Sequence, residues 1–278
     1  MMGAVITLTT DFGLSDAYVA TMKGVILGIN PDARLVDICH TIAPQNIAQA
    51  AFVISTAYRF FPERTVHVIV VDPGVGSRRR AVLLRTPHAD FVGPDNGVFS
   101  YIIQEMTGKP VTGSSMKLKP DVTAVSLTKQ RFWLPQVSAT FHGRDVFAPV
   151  AAHISLGKPL DSFGDKVTSL ATVPLLYPRH TSSGITGHIV HIDNFGNLIT
   201  NIRREALPKK RSTIDVTIGS KKIEGLTRTY AEGDGLLALV GSHGYLEVSL
   251  KNGNASGFLG VGAGDQVRIS VKTGGGKS

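Results

Sequence analysis

Apolar positions along this chain fall into two textures. In the first half, short apolar runs alternate with stretches at helical spacing. Val5-Ile6-Thr7-Leu8 reads as a buried strand, Leu35 to Ile38 as a second, Val66 to Val71 as a third and Ala81 to Leu84 as a fourth. Between the first two, Val19, Met22, Val25, Ile26 and Ile29 recur with a period near 3.6. They predict a helix running through about Asn30, capped by Ser15 or Asp16 and broken by Pro31-Asp32. Ile47, Ala50, Ala51, Ile54, Ala57, Tyr58 and Phe61 predict a second helix. A loop, "VGPDNG" (Val92 to Gly97), leads to a third helix carrying Val98, Ile102 and Ile103. This alternation is the α/β pattern.

After about residue 175 the texture changes. Residues 176–184, within "LLYPRHTSSG", read as a linker. Short alternating strands with Gly-rich turns follow: Ile185 to Ile192, Ile214 to Ile218, Leu236 to Val240, Tyr245 to Leu250 and Gln266 to Val271. That is an all-β pattern and predicts a small β-barrel over residues 185–272. The tail, 273–278, is expected to be disordered.

Composition narrows the function classes. Hydrophobic residues make up 42% of the 278, so a sizeable core can form and disorder is not expected. No apolar run reaches the ~20 residues of a membrane span. The N-terminal "MMGAVITLTTDFG" meets Asp11 early and reads as a first strand rather than a signal peptide. A single cysteine, Cys39, leaves no intrachain disulfide to form and points to the cytoplasm. The net charge of +8 raises the question of a nucleic-acid partner. Its clusters, Arg78-Arg79-Arg80, Lys209-Lys210-Arg211 and Lys221-Lys222, are short, scattered and not interleaved with aromatics, so they read as solvated surface.

Candidate chemistry collects at the predicted strand ends. "TTDFGLSD" follows the first strand, "DICHTIAPQN" the second and "DPGVGSRRR" the third, and "GPDNG" follows another. In an open α/β sheet ligands bind outside the carboxyl ends of the strands, so these loops predict one small-molecule crevice. The glycines match neither a P-loop nor a dinucleotide fingerprint. Asp11 and Asp16 can hold a hard cation or accept from a ribose diol, and Asp16 can equally be a helix cap. His142, in "SATFHGRDVFAP", has no second histidine at metal-ligand spacing, and Arg144-Asp145 reads as a local ion pair. In the second half, "IDNFGNLITNI" places Phe195 and Asn197 in a polar turn. Phe195 can stack on a base and Asn197 can bond its edge, or the segment is a hairpin turn with a core Phe. Ser242 lies in a turn able to receive a carboxylate.

Six segments in order, "TLTTDFGLSDAYV", "VVDPGVGSRRR", "VGPDNGVFS", "TFHGRDVFAP", "DNFGNLITNI" and "SHGYLEV", resemble the S-adenosylmethionine (SAM) hydrolases of the hydroxide adenosyltransferase family. The similarity runs from about residue 4 to about residue 272 and extends to fluorinase and chlorinase. It implies hydrolysis of SAM to adenosine and L-methionine with no metal or other cofactor. It also implies a homotrimer with active sites at subunit interfaces, and neither nucleic acid nor membrane as partner. By position, Asp72, Arg79 and His142 are matched to the set near the attacking water. Asp11 is matched to the ribose diol acceptor and Asp16 to the methionine ammonium. Phe195 and Asn197 match contacts to adenine or sugar from a neighbouring chain, Ser242 a carboxylate contact, and Asn96, in the "DNG" motif, a further substrate contact. His243 departs from the halogenating relatives, which carry an Arg there. Alternation favours Arg79 over Arg78 and Arg80 as the inward cation. The expected fold is an N-terminal Rossmann-like three-layer α/β domain followed by a small β-barrel. Two alternatives are a chloride-using halogenase and a non-catalytic SAM or adenosine sensor.

Overall fold

The computed structural model describes residues 3–209 and 214–271, so the expected disordered tail lies outside the described residues, as do Lys210 and Arg211. The chain divides into two compact units, Met1–Leu175 and Leu176–Ser278.

The first unit is built on a seven-stranded mixed sheet. Its strands are β1 (Val5–Thr10), β2 (Arg34–Cys39), β3 (Thr65–Val70), β4 (Ala81–Arg85), β5 (Ala89–Pro94), β7 (Thr123–Leu127) and β8 (Gly164–Val167), in the order β2-β1-β3-β5-β4-β7-β8. β6 (Ser115–Lys117) and β9 (Ser169–Ala171) form a separate ribbon. The pairings among β2, β1, β3 and β5 are parallel, and those from β5 through β8 antiparallel. β3 is buried at all six positions, which is why it reads as a continuous run rather than an alternation.

Helices cover both faces. Ile6, Leu8, Val66 and Val68 pack with Met22 and Ile26 of α1 (Tyr18–Ile29) and Ala151 and Ile154 of α4 (Ala148–Ser155). Ile69, Val71 and Phe91 pack with Ala50 and Ile54 of α2 (Ile47–Ala57) and Ile102 and Ile103 of α3 (Ser100–Thr107). Two helix boundaries differ from expectation. α1 begins at Tyr18 after the N-cap Ala17, with no side-chain cap, so neither Ser15 nor Asp16 caps it. α2 stops at Ala57 and a single 3-10 turn, Tyr58–Phe60, carries the apolar spacing on. Phe61 then lies edge-on to the buried His67, their ring centres 5.6 Å apart.

The second unit is one sheet of eight strands. They are β10 (Arg179–Thr181), β11 (Gly184–Ile192), β12 (Leu198–Arg203), β13 (Ile214–Ile218), β14 (Lys221–Glu224), β15 (Leu236–Val240), β16 (Tyr245–Leu250) and β17 (Gln266–Val271). The path runs β14-β13-β17-β11-β12-β16-β15, with β10 added on β11. The two path ends approach each other: the Thr227 N–H, just past β14, donates to the Ala238 carbonyl of β15 at 2.9 Å, giving a nearly closed barrel. Ile189, Leu198, Ile202, Val216, Leu246 and Val267 belong to its core, and a short helix, α5 (Ala255–Leu259), packs on it through Ala255. β10 occupies the segment expected to be a linker.

Candidate active site

β1 lies between β2 and β3, so the chain leaves β1 in one direction across the sheet and enters β3 on the other side. Loops after such neighbouring parallel strands part and leave a crevice at their carboxyl ends. Asp11 directly follows β1, and Asp72 follows β3 by two residues.

The loop after β3, "DPGVGSRRR", carries one aspartate and three arginines. Turn bonds from Val75 N–H to the Asp72 carbonyl and from Ser77 N–H to the Gly74 carbonyl fold it tightly. Gly76 has φ 76°, and a Cβ there would lie 2.5 Å from the Ala139 carbonyl oxygen, so only glycine allows this approach. The three cations then separate. Arg78 is exposed. Arg80 donates from Nε to Asp95 at 2.8 Å. Arg79 turns inward and donates from Nε to Asp72 Oδ1 at 2.8 Å and from Nη2 to Asp72 Oδ2. The same Nη2 donates to His142 Nδ1 at 2.9 Å, and the guanidinium lies 5.3 Å from the Phe147 ring centre. The Arg79 and Asp72 side chains are only 9% and 5% exposed, so the pair is held in a largely dry, bidentate geometry.

His142 is set by local backbone. It immediately precedes a single π-helical turn, Gly143–Phe147, which leads into α4. A side chain at Gly143 would crowd Phe141, Met22 and Val70 at 3.2–3.3 Å, so glycine lets the turn press against the sheet. Burial first, and then the Arg79 charge, lower the His142 pKa against the opposing pull of Asp72 and Asp145. The imidazole is therefore neutral near pH 7. Arg79 has no lone pair to offer, so Nδ1 is the acceptor and the proton sits on Nε2. The Arg144–Asp145 ion pair expected from sequence is present, Nε to Oδ1 at 2.6 Å.

Asp72 and His142 line a cavity of about 430 Å³ together with Asp11, Phe12, Tyr18 and Gln45, within the usual size of a small-molecule pocket. Phe12, Tyr18 and Phe141 meet one another at ring-centre distances of 5.2–5.6 Å and form its apolar wall. Asp11 Oδ2 accepts the Gln45 N–H at 2.8 Å. Of the residues singled out in sequence, Asp11, Asp72 and His142 line this cavity, and Arg79 supports two of them from behind. Asp16 is exposed in the turn before α1 and is not part of the lining. Asn96 donates from Nδ2 to the Val71 carbonyl at 2.9 Å and accepts from Val98 N–H, so it fixes the backbone next to Asp72. Gln45 and the aromatic wall were not assigned from sequence. Their signals are the Pro44-Gln45-Asn46 break before α2 and the aromatics inside "DFG" and "TFHG".

In the second unit, Phe195 is 74% exposed, which excludes a core role for it. Its turn is organised by Asp193, whose Oδ1 accepts from the N–H groups of Phe195 and Asn197 and whose Oδ2 accepts from Asn197 Nδ2, each at 2.9 Å. Asn197 is buried and keeps its carbonyl Oδ1 as an acceptor. Ser242 and His243 are exposed in the turn before β16. Among the described residues no group of three or more His, Cys, Asp or Glu side chains is arranged to hold a metal ion, and no helix is long and apolar enough to cross a membrane.

An α/β unit with an Asp–Arg–His crevice at the ends of its parallel strands, followed by a nearly closed β-barrel unit, defines a two-part protein built to handle a small polar molecule. Comparison with known proteins specifies the family. Residues 6–164 match the SAM hydroxide adenosyltransferase N-terminal domain, and residues 187–268 match the C-terminal domain. The chain therefore belongs to the SAM hydroxide adenosyltransferase family. A relative from Methanocaldococcus jannaschii, named (R)-S-adenosyl-L-methionine hydrolase, is 35% identical, the alignment covering 95% of each chain. A relative from Nocardia brasiliensis, named a fluorinase, is 27% identical over 96% of this chain and 97% of its own. The crystal structure of an uncharacterized conserved protein from Thermotoga maritima superposes with a TM-score of 0.86 at 33% identity, covering 95% of this chain and 99% of that one.

Proposed function

We propose that this chain hydrolyses SAM to adenosine and L-methionine, with water attacking C5′. The observation that carries this reading is the Asp72–Arg79–His142 set at the edge of the cavity. The sulfonium is already a good leaving group, so the demanding task is to hold one water in line with C5′. Arg79 uses one lone pair on each Asp72 oxygen, and each oxygen keeps another for the water. His142, with Nδ1 engaged by Arg79, offers its Nε2–H as a donor to the same water or the sugar. As the O–C5′ bond forms, the C5′–S bond breaks and its electron pair returns to sulfur as the methionine thioether. The proton released from the attacking oxygen passes to Asp72 and on to solvent.

The Rossmann-like parallel half of the sheet supplies the crevice in this reading. Asp11 receives the ribose diol, Asp16 the methionine ammonium, and Asn96 anchors the end of β3 while facing the substrate. The chain works as a homotrimer in which Phe195, Asn197 and Ser242 of a neighbouring subunit complete the site. The exposure of Phe195 supports this, since a 74% exposed phenylalanine in a rigid turn is suited to receive a partner surface or a base. A halide nucleophile is disfavoured because the Asp72 carboxylate faces the cavity and repels an anion.

The test is product analysis in 18O-labelled water with chloride present. We expect adenosine labelled at the 5′-oxygen, plus methionine. A 5′-halo-5′-deoxyadenosine product overturns the proposal in favour of a halogenase, and tight SAM binding with no product overturns it in favour of a sensor.

A further inference from the structure

The loop between β2 and α2, residues 40–46, borders the Asp11 side of the cavity. Its geometry is unusual. Gln45 has φ 65°, one of only three non-glycine residues with positive φ among those described. A left-handed glutamine is disfavoured, and something must hold it there. Asn46 caps α2 by accepting the Gln49 N–H at 2.9 Å, while Gln49 Oε1 reaches back to accept the Ala43 N–H at 2.8 Å. This reciprocal cap closes the loop around Pro44 and Gln45. The strained residue then points its N–H at Asp11 Oδ2, 2.8 Å away.

A second tether comes from the same loop. The His40 carbonyl accepts the Gly13 N–H at 2.7 Å, and His40 Nδ1 lies 2.8 Å from Thr10 Oγ1. The residues on both sides of Asp11 are thus fixed by His40, and its carboxylate is fixed by Gln45.

We infer that Gln45 is a positioning residue: its left-handed backbone presents a single N–H that occupies one oxygen of Asp11 and leaves the other aimed into the cavity. The proposal rests on the reading of Asp11 as the ribose acceptor. It adds that the side chain of Gln45 is dispensable and that the backbone conformation is what matters. Residue types should therefore rank by how readily they adopt positive φ, not by their hydrogen-bonding side chains.

The experiment compares Gln45→Gly, Gln45→Asn and Gln45→Val with the parent and with Asp11→Ala. Adenosine affinity is measured by calorimetry, and kcat and KM are measured with SAM. Gln45→Gly and Gln45→Asn should keep parental adenosine affinity within about twofold. Gln45→Val should lose about tenfold, ~1.4 kcal/mol, because a β-branched residue tolerates positive φ worse than the glutamine it replaces. The Gln45→Val loss should fall on KM, with kcat changed less than about threefold. Position 45 is exposed, so no side-chain packing is lost in any of the three, and Gln45→Val should melt slightly below Gln45→Gly because only it adds backbone strain. If Asp11→Ala binds adenosine like the parent, the assignment of Asp11 is wrong and the inference goes with it. If Asp11→Ala loses affinity but Gln45→Val does not, the site stands and the positioning role is refuted. If Gln45→Gly loses as much as Gln45→Val, the side chain is the contact and the backbone account is refuted.

Discussion

Asp72→Asn isolates the charge at the centre of the site with almost no change of shape. In the parent, both carboxylate oxygens accept from Arg79 and neither side chain is more than a tenth exposed. An amide in that place turns one acceptor into a donor that faces a guanidinium donor, and it leaves Arg79 without its counter-ion. Removing one partner of a buried pair costs about 3–5 kcal/mol. Here Arg79 keeps His142 Nδ1 and the Phe147 ring, and the cavity side is open to water, so the lower end, about 3 kcal/mol, is expected. At roughly 2–4 °C per kcal/mol for a unit of this size, the first unit should melt about 6–12 °C lower. Turnover should fall at least ~100-fold, the usual scale for a group that accepts or directs the proton of the nucleophile. Adenosine affinity should change less than about threefold, because the group acts on water and not on the nucleoside. Steady-state kinetics with SAM, calorimetry with adenosine and scanning calorimetry of the same preparation give the three numbers. Turnover within threefold of the parent, in a protein that has lost the expected stability, would place Asp72 in the architecture and remove it from the chemistry.

Other tests address separate parts of the molecule. His67 is buried, bonded to Thr7 through Nδ1 and stacked on Phe91, and burial lowers its pKa to about 4. The unfolded chain titrates near 6.5, so between pH ~6.5 and ~4 it binds the extra proton, and stability falls as pH falls, by about 3 kcal/mol in all. Denaturant unfolding across that range should show the slope, and His67→Phe should flatten it. Phe195→Ala should leave the melting temperature within about 2 °C, since the ring is exposed, and should weaken adenosine binding by ~1–3 kcal/mol if it stacks on the base. Unchanged affinity in a titration of that variant would remove it from the site. Dialysis against EDTA should leave turnover intact, and loss restored by a divalent cation would give Asp11 and Asp16 a different job.

The parts of the fold that were legible in the sequence are those where one physical rule acts alone. The apolar run predicts β3 because burial on both sides leaves only apolar residues besides Thr65 and His67. β13, β15, β16 and β17 were read almost to the residue. β12 lies within "IDNFGNLITNI", where the turn at Phe195 and Asn197 dominates the pattern and Thr200 and Asn201 interrupt the apolar run, yet Thr200 bonds the Leu246 carbonyl and Asn201 accepts from His188 N–H. β14, "KKIE", buries only Ile223 and pairs by its backbone, so it carries no apolar pattern. β10 is exposed throughout and joins β11 by backbone bonds alone. In the site, alternation predicts Arg79 as the inward cation, and its guanidinium bonds Asp72. The role of Gln45 was not legible, because a left-handed backbone at a non-glycine residue leaves no mark in residue type.

The loop from Asp72 to Arg79 also has a consequence for proteolysis. Arg78 is the outward member of the three arginines, so trypsin meets it first, and a cut after it leaves Asp72 on one fragment and Arg79 on the other. The two fragments remain neighbours because β3 pairs with β5 and because α1 and α2 on one fragment share the cores that α4 and α3 on the other complete. A nicked but undissociated protein is thus a split enzyme in which the ion pair must assemble without a covalent link across seven residues. Its residual turnover measures how much of the site the sheet holds in place and how much the loop does.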